Sequence, residues 1–294
     1  MMSILRSVMN RESINSMARI FAFIPDEPYL KMMYRLRTGK RLNLEAPRRF
    51  NEKIQWLKLH DRRPEYTMMV DKYSVKPYVA SIIGEEFIIP TLGVWDRFDD
   101  IDFAKLPDQF VLKCTHDSGG LVICKDKSKL DMKKARKKIE RSLKSNFFWI
   151  GREWPYKDVP HRIIAEQYLE DESGEELKDY KIFCFNGEPK YIQVDFGRFS
   201  NHERNVYSTD WKYMGFTSHY KSNPNVAIPR PEKLDKMLAI AKVLSVGIKQ
   251  VRIDLYSVFG RVYFGEVTFY HGSGFERYEP DEWDERLGRM IELA

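Results

Sequence analysis

A stretch near the C-terminus sets acidic and basic side chains among β-branched and aromatic residues. Residues 250–274 read QVRIDLYSVFGRVYFGEVTFYHGSG, in which two runs of β-branched and aromatic residues flank Gly260. This pattern predicts a β-hairpin. Because successive side chains of a strand point to opposite faces, Arg252, Asp254 and Tyr256 share one face of the first strand.

The loop length decides which side chains face each other across this hairpin. A three-residue loop at 259–261 sets Asp254 opposite Glu266 and Arg252 opposite Thr268. Carboxylates that face each other across a ladder repel, and a divalent cation relieves that repulsion. Hard oxygen ligands favour magnesium or manganese. The hairpin therefore predicts a metal site, and the alternative is a solvated face whose charges only alternate with the core.

A second stretch has the composition of a phosphate-binding turn. Residues 110–126 read FVLKCTHDSGGLVICKD, which predicts a strand, a turn at 116–120 and a second strand. Glycines let backbone N–H groups face an anion, and Lys113 on the first strand could contact a phosphate. The glycine motifs of P-loop and Rossmann proteins are absent. An ordinary hairpin turn with the same composition remains the alternative.

Composition excludes several classes of protein. The chain has 294 residues, 43% apolar and 31% charged, as in soluble globular proteins. Its 49 basic and 43 acidic residues give a net charge of +6, which suits anionic ligands but is too small to indicate nucleic acid. Three cysteines without a CxxC pair are expected to stay reduced. No apolar run approaches the roughly 18 residues of a membrane helix, and no signal peptide is recognised. We therefore expect a cytoplasmic protein.

Predicted elements are helical at first and then alternate between strands and helices. An amphipathic segment at 1–24 is expected to pack on the protein body, with membrane contact as the less favoured alternative. A short buried strand is predicted within 87–95, a polar loop at 198–207, and helices at 128–145 and 231–246. Antiparallel hairpins without βαβ crossovers indicate an α+β fold.

Four motifs occur in an order that resembles the ATP-grasp superfamily. They are FVLK before a Gly/Ser turn, IIAEQYLE, DYKIFCFNGEP, and VRIDLY followed by FGEVTFYHGSG. The resemblance covers roughly residues 25–290 and is strongest to TupA-like ATP-grasp proteins of bacterial surface-polysaccharide and teichuronopeptide clusters. It implies two α+β subdomains that grip ATP between antiparallel sheets, behind a helical domain. The implied boundaries are 1–100 for the helical domain, 101–170 for the small subdomain and 171–294 for the large one.

The resemblance also implies which residues contact ATP. Lys72 and Lys113 correspond to the lysines that hold the phosphates, and the 116–120 turn to the glycine loop that closes over them. The residues of that turn implied to bind ATP are His116, Ser118, Gly119 and Gly120. The hinge whose backbone meets adenine corresponds to Glu166, Gln167, Tyr168 and Leu169. Asp179 is then placed for the ribose hydroxyls, and Lys181 points into the same cleft.

Catalytic and metal-binding roles follow from the same resemblance. Asp254 and Glu266 match the metal carboxylates, and Arg252 matches the arginine at the transferred phosphoryl group, with Lys113 and Lys181 as further catalytic cations. Thr268 stands where asparagine is common in the superfamily, so the third metal ligand departs from the family pattern.

The implied reaction joins a carboxylate and an amine at the expense of ATP, with Mg²⁺ or Mn²⁺ as cofactor. The expected substrates are a carboxylate-bearing sugar or polysaccharide precursor and an amino acid or other amine. Two alternatives stay open. Asp100 and Asp102 form a D-x-D pair of the kind that holds a nucleotide-sugar metal in glycosyltransferases. A grasp fold that has lost its chemistry would instead be a binding or scaffold protein.

Overall fold

The computed structural model describes residues 21–172, 174, 177–197 and 202–293. The first twenty residues of the predicted amphipathic segment lie outside these ranges. The chain folds as two compact units, each assembled from three segments. The first unit comprises Met1–Leu42, Leu57–Tyr73 and Thr91–Glu166, and the second comprises Asn43–Trp56, Ser74–Pro90 and Gln167–Ala294.

Helices form where apolar residues recur at helical spacing. The described helices are α1 (Asp26–Thr38), α2 (Phe50–His60), α3 (Glu65–Val70), α4 (Val75–Ile83), α5 (Met132–Leu143), α6 (Phe148–Gly151), α7 (Leu234–Leu244) and α8 (Glu282–Arg289). Helix α5 shows the cause most clearly. Its first turn is capped by Asp131, whose side chain accepts a bond from the Lys134 N–H at 2.9 Å, and it buries Ala135 and Ile139. No helix in the described part of the chain is long and apolar enough to cross a membrane.

Strands of the two units form separate sheets. The strands are β1 (Thr91–Trp95), β2 (Phe110–Cys114), β3 (Leu121–Cys124), β4 (Ile163–Gln167), β5 (Asp179–Phe185), β6 (Glu188–Phe196), β7 (Glu203–Ser208), β8 (Thr217–Ser218), β9 (Gln250–Val258), β10 (Arg261–Thr268) and β11 (Tyr278–Glu279). The four-stranded sheet has the order β1-β4-β2-β3, and the five-stranded sheet has the order β10-β9-β5-β6-β7. All pairings in the five-stranded sheet are antiparallel, which confirms the predicted α+β plan.

The loop of the β9–β10 hairpin differs from the prediction. Phe259 and Gly260 form a two-residue turn with φ of 47° and 72°, instead of the three-residue loop expected at 259–261. Positive φ at both positions fits a type I′ turn, whose twist matches that of the flanking strands. Arg261 consequently pairs with Val258.

A bulge further along the same hairpin restores the predicted pairing. The register shifts by one residue at Gly265, so that Glu266 lies opposite Asp254 and Thr268 opposite Arg252. A Cβ at position 265 would lie 3.0 Å from the carbonyl oxygen of Asp254, so glycine suits this close approach. The predicted pairing is therefore correct, although the predicted loop is wrong.

Two other predictions about strands are wrong. The strand expected to be buried within 87–95 is β1, and its residues are exposed or half-buried. The segment expected to be a polar loop at 198–207 contains β7 from Glu203 onwards, while 198–201 lie outside the described residues. Two of its polar residues, Arg204 and Asn205, are buried and bonded; Asn205, for example, donates to the carbonyl of Asn223 at 2.8 Å. Polarity was misleading here because bonded polar side chains can be buried in a strand.

The five-stranded sheet has two chemically different faces. Helix α7 covers the apolar face, where Ile182 and Ile253 are fully buried and Cys184 Sγ lies 3.7 Å from the carbonyl oxygen of Ala241. The alternate residues of β5, β6, β7 and β9 point to the opposite face, and many of them are charged. This second face carries the candidate site of the second unit.

A buried lysine in the first unit makes stability depend on pH. Burial lowers the pKa of Lys58 from 10.5 to about 7, although the carboxylate of Glu153 opposes the shift. Its Nζ donates to the carbonyl of Gly151 at 2.7 Å. Between about pH 7 and 10.5 the unfolded chain binds more protons at this residue than the folded chain does. The free energy of unfolding should therefore rise with pH in this window.

We expect Lys58→Met to flatten this rise, because methionine fills a similar volume without a titrating group. Denaturant unfolding of wild type and variant at several pH values between 7 and 10 measures the slope. Lys31→Met, at an exposed position, is the matched control and should keep the wild-type slope. An unchanged slope in Lys58→Met would show that the pH dependence of stability does not come from Lys58.

Candidate active site

Two lysines of the first unit lie beside the predicted phosphate-binding turn. Lys72 Nζ donates to the carbonyl oxygen of Asp117 within the turn at 2.8 Å. Lys113 stands on β2 immediately before the turn, and its Nζ lies 2.6 Å from Glu166 Oε2 on β4. The turn and both lysines thus belong to one region of the first unit.

The 116–120 turn is held by its own side chains. Asp117 Oδ1 accepts from the N–H of Gly120 at 3.0 Å, and its Oδ2 accepts from the hydroxyl of Ser142 at the end of α5. A Cβ at Gly120 would lie 2.5 Å from both Cys114 Sγ and Ser142 Oγ, so only glycine fits there. Ser118 is exposed between these anchors. The tip of the turn at Ser118 is therefore exposed, while its ends stay packed.

His116 takes part in this packing. Its Nε2 lies 3.1 Å from the carbonyl oxygen of Ser142, and its ring stacks on His161 at 3.8 Å. A carbonyl oxygen only accepts, so Nε2 carries the hydrogen. Burial, and then the neighbouring His161, lower the pKa of His116, so the ring stays neutral. A neutral ring whose N–H is already bonded leaves the backbone of the turn as the group best suited to contact phosphate.

The predicted hinge lies where the chain passes from the first unit to the second. Glu166 is the last residue of one unit and Gln167 resumes the other. The N–H of Gln167 donates to the carbonyl of Pro90 at 3.0 Å. Tyr168 follows with its hydroxyl 3.4 Å from Glu170 Oε1, and Leu169 packs against the hydrophobic cluster of Ile89, Val258 and Tyr263. The adenine-binding role of this segment stays a prediction.

In the second unit the sheet register brings the predicted catalytic residues together. Lys181 on β5 lies opposite Asp254 on β9, and Arg252 on β9 lies opposite Thr268 on β10. Asp179 is on the same face of β5 as Lys181. The side chain of Lys181 contacts Asp179 and lies 3.4 Å from Asp195 Oδ2 and 3.9 Å from Asp254 Oδ2.

Arg252 bridges the two opposed carboxylates. Its Nε and Nη2 donate to the two carboxylate oxygens of Asp254, each at 2.6 Å, and Nη2 also donates to Glu266 Oε1 at 3.2 Å. The hydroxyl of Thr268 lies 3.4 Å from the same Glu266 oxygen. A planar guanidinium satisfies carboxylates in this forked geometry. The repulsion inferred from the sequence is therefore relieved in part by Arg252 itself.

Four further residues that sequence reasoning missed extend this face. Arg204 donates to Asp195 Oδ1 at 2.6 Å, and Glu276 lies beyond it, with Oε2 4.0 Å from Arg204 Nη1. His271 lies between Glu276 and Arg252. Asp195 could have been found from its alternation with Gln193 on β6, whereas nothing in the sequence places His271 and Glu276 beside Arg252.

These residues form a charged cluster in which carboxylates outnumber cations five to three. Its members are Asp179, Lys181, Asp195, Arg204, Arg252, Asp254, Glu266 and Glu276. Burial raises the pKa of Asp254 well above its ordinary value; Arg252 opposes the shift, and Asp179 adds to it. An excess of buried carboxylates is a setting that favours a bound cation.

The donor set fits magnesium held jointly with a nucleotide. No group of three or more His, Cys, Asp and Glu side chains is arranged to hold a metal ion in the ranges that the structure describes. Magnesium needs no such cage, because it is usually bound by one or two carboxylates together with substrate phosphates and water. Asp254 and Glu266, opposite each other on β9 and β10, are two carboxylates of this kind.

Two units with antiparallel sheets, one carrying a lysine-flanked glycine turn and the other a charged Arg-x-Asp hairpin, define an ATP-grasp fold. A family model of TupA-like ATP-grasp proteins matches residues 52–292. The chain therefore belongs to the TupA-like ATP-grasp family. No curated protein matches it significantly in sequence.

Solved ATP-grasp ligases are distant in sequence. The D-alanine–D-alanine ligase from Bacillus anthracis complexed with ATP is 16% identical with a TM-score of 0.39, and the match covers 69% of this chain and 54% of the ligase. The D-alanine–D-alanine ligase from Helicobacter pylori is 14% identical with a TM-score of 0.39, over 82% of this chain and 69% of that one. The chain thus spans about half the length of the first of these ligases.

Proposed function

We propose that the protein is an ATP-dependent carboxylate–amine ligase that acts through an acyl phosphate. The observation that carries this proposal is Arg252, held by a bidentate contact to Asp254 and a further contact to Glu266 on one sheet face. An arginine fixed among metal-binding carboxylates is suited to a phosphoryl group in transfer. Membership of the ATP-grasp family supports the same reading.

Phosphate binding falls to the first unit. Lys72 and Lys113 would neutralise the phosphates of ATP, and the backbone N–H groups at the tip of the 116–120 turn would bind their oxygens. Lys113 is also held by Glu166, so nucleotide binding competes with that ion pair. Asp179 of the second unit would accept bonds from the ribose hydroxyls.

Metal binding falls to the second unit. Asp254 and Glu266 would hold Mg²⁺ or Mn²⁺, with the hydroxyl of Thr268 beside them. The metal supplies positive charge that offsets the repulsion between ATP and an anionic substrate. Because Arg252 contacts both carboxylates, it would keep them in place. Four of its five N–H groups are bonded to Asp254, Glu266 and His271, and the fifth, on Nη1, would donate to a transferred phosphoryl oxygen.

The proposed reaction has two steps. A substrate carboxylate oxygen attacks the γ-phosphorus of ATP, an O–P bond forms, and ADP leaves with the electrons of the broken bond. An amine then attacks the acyl carbon, a C–N bond forms, inorganic phosphate leaves, and the amine loses a proton. Arg252 and Lys181 would stabilise the oxygens that gain negative charge in both steps. No side-chain nucleophile is needed.

The substrates we propose are a uronic acid or another carboxylate of a bacterial surface (capsular) polysaccharide and an amino acid or other amine. The support is the resemblance to polysaccharide-cluster proteins, together with the net positive charge, which suits anionic substrates. The reaction would take place in the cytoplasm, where ATP is made.

Geometry does not favour the glycosyltransferase alternative. Asp102 accepts a bond from the Ala104 N–H at 3.1 Å, and its other oxygen lies 3.2 Å from Lys105 Nζ. This is the ordinary arrangement of an acidic residue that begins a helical turn. Asp100 belongs to a neighbouring exposed turn.

The proposal is tested by ADP release from ATP and magnesium in the presence of D-glucuronate and a mixture of amino acids. We expect release that depends on magnesium and on both added substrates, and a melting temperature raised by ATP with magnesium. A melting temperature raised by UDP-sugars alone, with no ADP release, would instead support the glycosyltransferase.

We expect Lys113→Met to weaken ATP binding by at least tenfold, because an ammonium that faces phosphate is lost. The same change removes a cation that contacts the buried carboxylate of Glu166 and should lower the melting temperature. The double variant Lys113→Met/Glu166→Gln separates the two effects, since it removes both charges. It should regain stability without regaining ATP affinity, as measured by calorimetry. Asp102→Asn should bind ATP like wild type. A loss of ATP affinity in Asp102→Asn but not in Lys113→Met would reverse the assignment of the nucleotide site.

A further inference from the structure

His271 is buried against the rear of Arg252. Its side chain is 5% exposed, its Nδ1 lies 2.8 Å from Arg252 Nη1, and its Nε2 lies 3.1 Å from Glu276 Oε2. Phe183 meets the ring edge-on, with centroids 4.8 Å apart. Three neighbours therefore fix both the position and the rotation of this imidazole.

The contacts determine which ring nitrogen carries the hydrogen. A guanidinium only donates, so Nδ1 of His271 must accept from Arg252. The hydrogen of the neutral ring then lies on Nε2, which is 3.1 Å from Oε2 of Glu276, within range of electrostatic attraction. Burial lowers the pKa of His271, while Glu276 opposes the shift, and the neutral form is the one that can accept from Arg252.

Glu276 is itself held in place. The hydroxyl of Ser218 donates to its Oε2, and Arg204 Nη1 lies 4.0 Å away. His271 and Arg204 hold the pKa of Glu276 well below its ordinary value against the effect of burial, so it stays ionised. A Cβ at Gly272 would lie 2.1 Å from Glu276 Cγ, so the glycine after His271 leaves room for this carboxylate.

We infer that His271 is a positioning residue for Arg252, oriented as the Nε2–H tautomer by Glu276. The inference rests on the proposed ligase function in one respect, namely that Arg252 contacts the transferred phosphoryl group. The chain Glu276–His271–Arg252 fixes the guanidinium from behind, so that its fork meets Asp254 and Glu266 in one orientation. Loss of this support should lower kcat more than it changes the KM for ATP.

The tautomer can be measured on the wild-type protein without any substrate. In protein labelled with ¹⁵N-histidine, His271 is assigned by the signal missing from His271→Asn. We expect a protonated Nε2 and an unprotonated Nδ1 at neutral pH. An imidazolium, or a ring protonated at Nδ1, would overturn the inference whether or not the ligase activity exists.

Two conservative variants separate the two contacts of His271. Asparagine places an oxygen near the Nδ1 position and can still accept from Arg252, whereas glutamine places its amide near Nε2 and leaves Nδ1 without a substitute. We expect His271→Gln to lower kcat by about 10- to 100-fold, a range typical of residues that orient a functional group. His271→Asn should stay within about threefold of wild type, and both should keep a near-normal KM for ATP.

A double-mutant cycle distinguishes positioning from a merely structural role. If His271 acts through Arg252, adding His271→Gln to Arg252→Lys should cost little further kcat. The inference is overturned if the two substitutions lower kcat by factors that multiply in the double variant. It is also overturned if His271→Gln and His271→Asn lose equal activity and their melting temperatures fall in parallel. ADP release by the wild type in the same assay shows whether the proposed function itself holds.

Discussion

Replacing Arg252 by lysine is expected to lower the rate of ADP release by about 10²- to 10³-fold, the usual cost of losing a preorganised donor at a developing charge. Arg252 makes two bonds to Asp254 and one to Glu266. A lysine keeps the charge but not the planar fork, so it cannot span both carboxylates and also meet a phosphoryl group. The measurement is steady-state ADP release with saturating ATP and magnesium.

Arg204→Lys is the matched control for this substitution. Arg204 makes the same kind of forked contact, with Asp195, on the same sheet face, but it lies on β7, three strands from Arg252 in the sheet order. We expect it to lower the melting temperature and to lower ADP release by no more than about tenfold, because Arg204 reaches Arg252 only through Glu276 and His271. Equal losses of activity in both variants would mean that Arg252 is no more than part of a buried ion-pair network.

The charged face of β5 and β9 could be predicted from the sequence because strand alternation is a local property. Arg252 and Asp254 must share a face at any register, and the same holds for Asp179 and Lys181.

The loop prediction failed because a glycine in a turn and a glycine within a strand give similar signals. Gly265 produces a bulge, and its one-residue shift offsets the one-residue error in the loop.

Contacts between distant segments could not be predicted in this way. Lys181 meets Asp195 and Asp254 because β5 lies between β6 and β9, and strand order is a property of the whole sheet. His271 and Glu276 reach Arg252 through a turn whose path depends on packing around Gly272. Sequence reasoning therefore predicted which residues of one strand share a face. It missed the residues that connect these strands to other segments, namely Asp195, His271 and Glu276.

Glu266→Gln is expected to abolish magnesium-dependent ADP release and the rise in melting temperature caused by ATP with magnesium. A neutral amide is a poor magnesium ligand compared with a carboxylate, and Asp254 alone would remain of the opposed pair. The metal-free protein should change little in stability. The sequence alone suggested a gain in the stability of the metal-free protein, because the substitution removes one of two charges that repel each other.

In the structure, this expected gain in stability is offset by existing contacts of Glu266. Arg252 already contacts both carboxylates, and the Glu266 side chain is 32% exposed, so its charge is partly solvated. Glutamine can still accept from Arg252, and we expect the free energy of unfolding without metal to change by about 1 kcal/mol or less, as for other partly exposed ion pairs.

Glu188→Gln provides the matched control for this variant. Glu188 is a half-exposed glutamate of the same sheet, paired with Lys242 at 2.7 Å, and its replacement should leave both ADP release and the response to magnesium unchanged. Activity, the melting temperature without metal and the shift with ATP and magnesium should be measured on the same preparations. A Glu266→Gln protein that keeps wild-type activity and the full magnesium shift would rule out the metal site on this hairpin. Loss of the magnesium shift with intact metal-free stability would separate a ligand from a residue that only supports the fold.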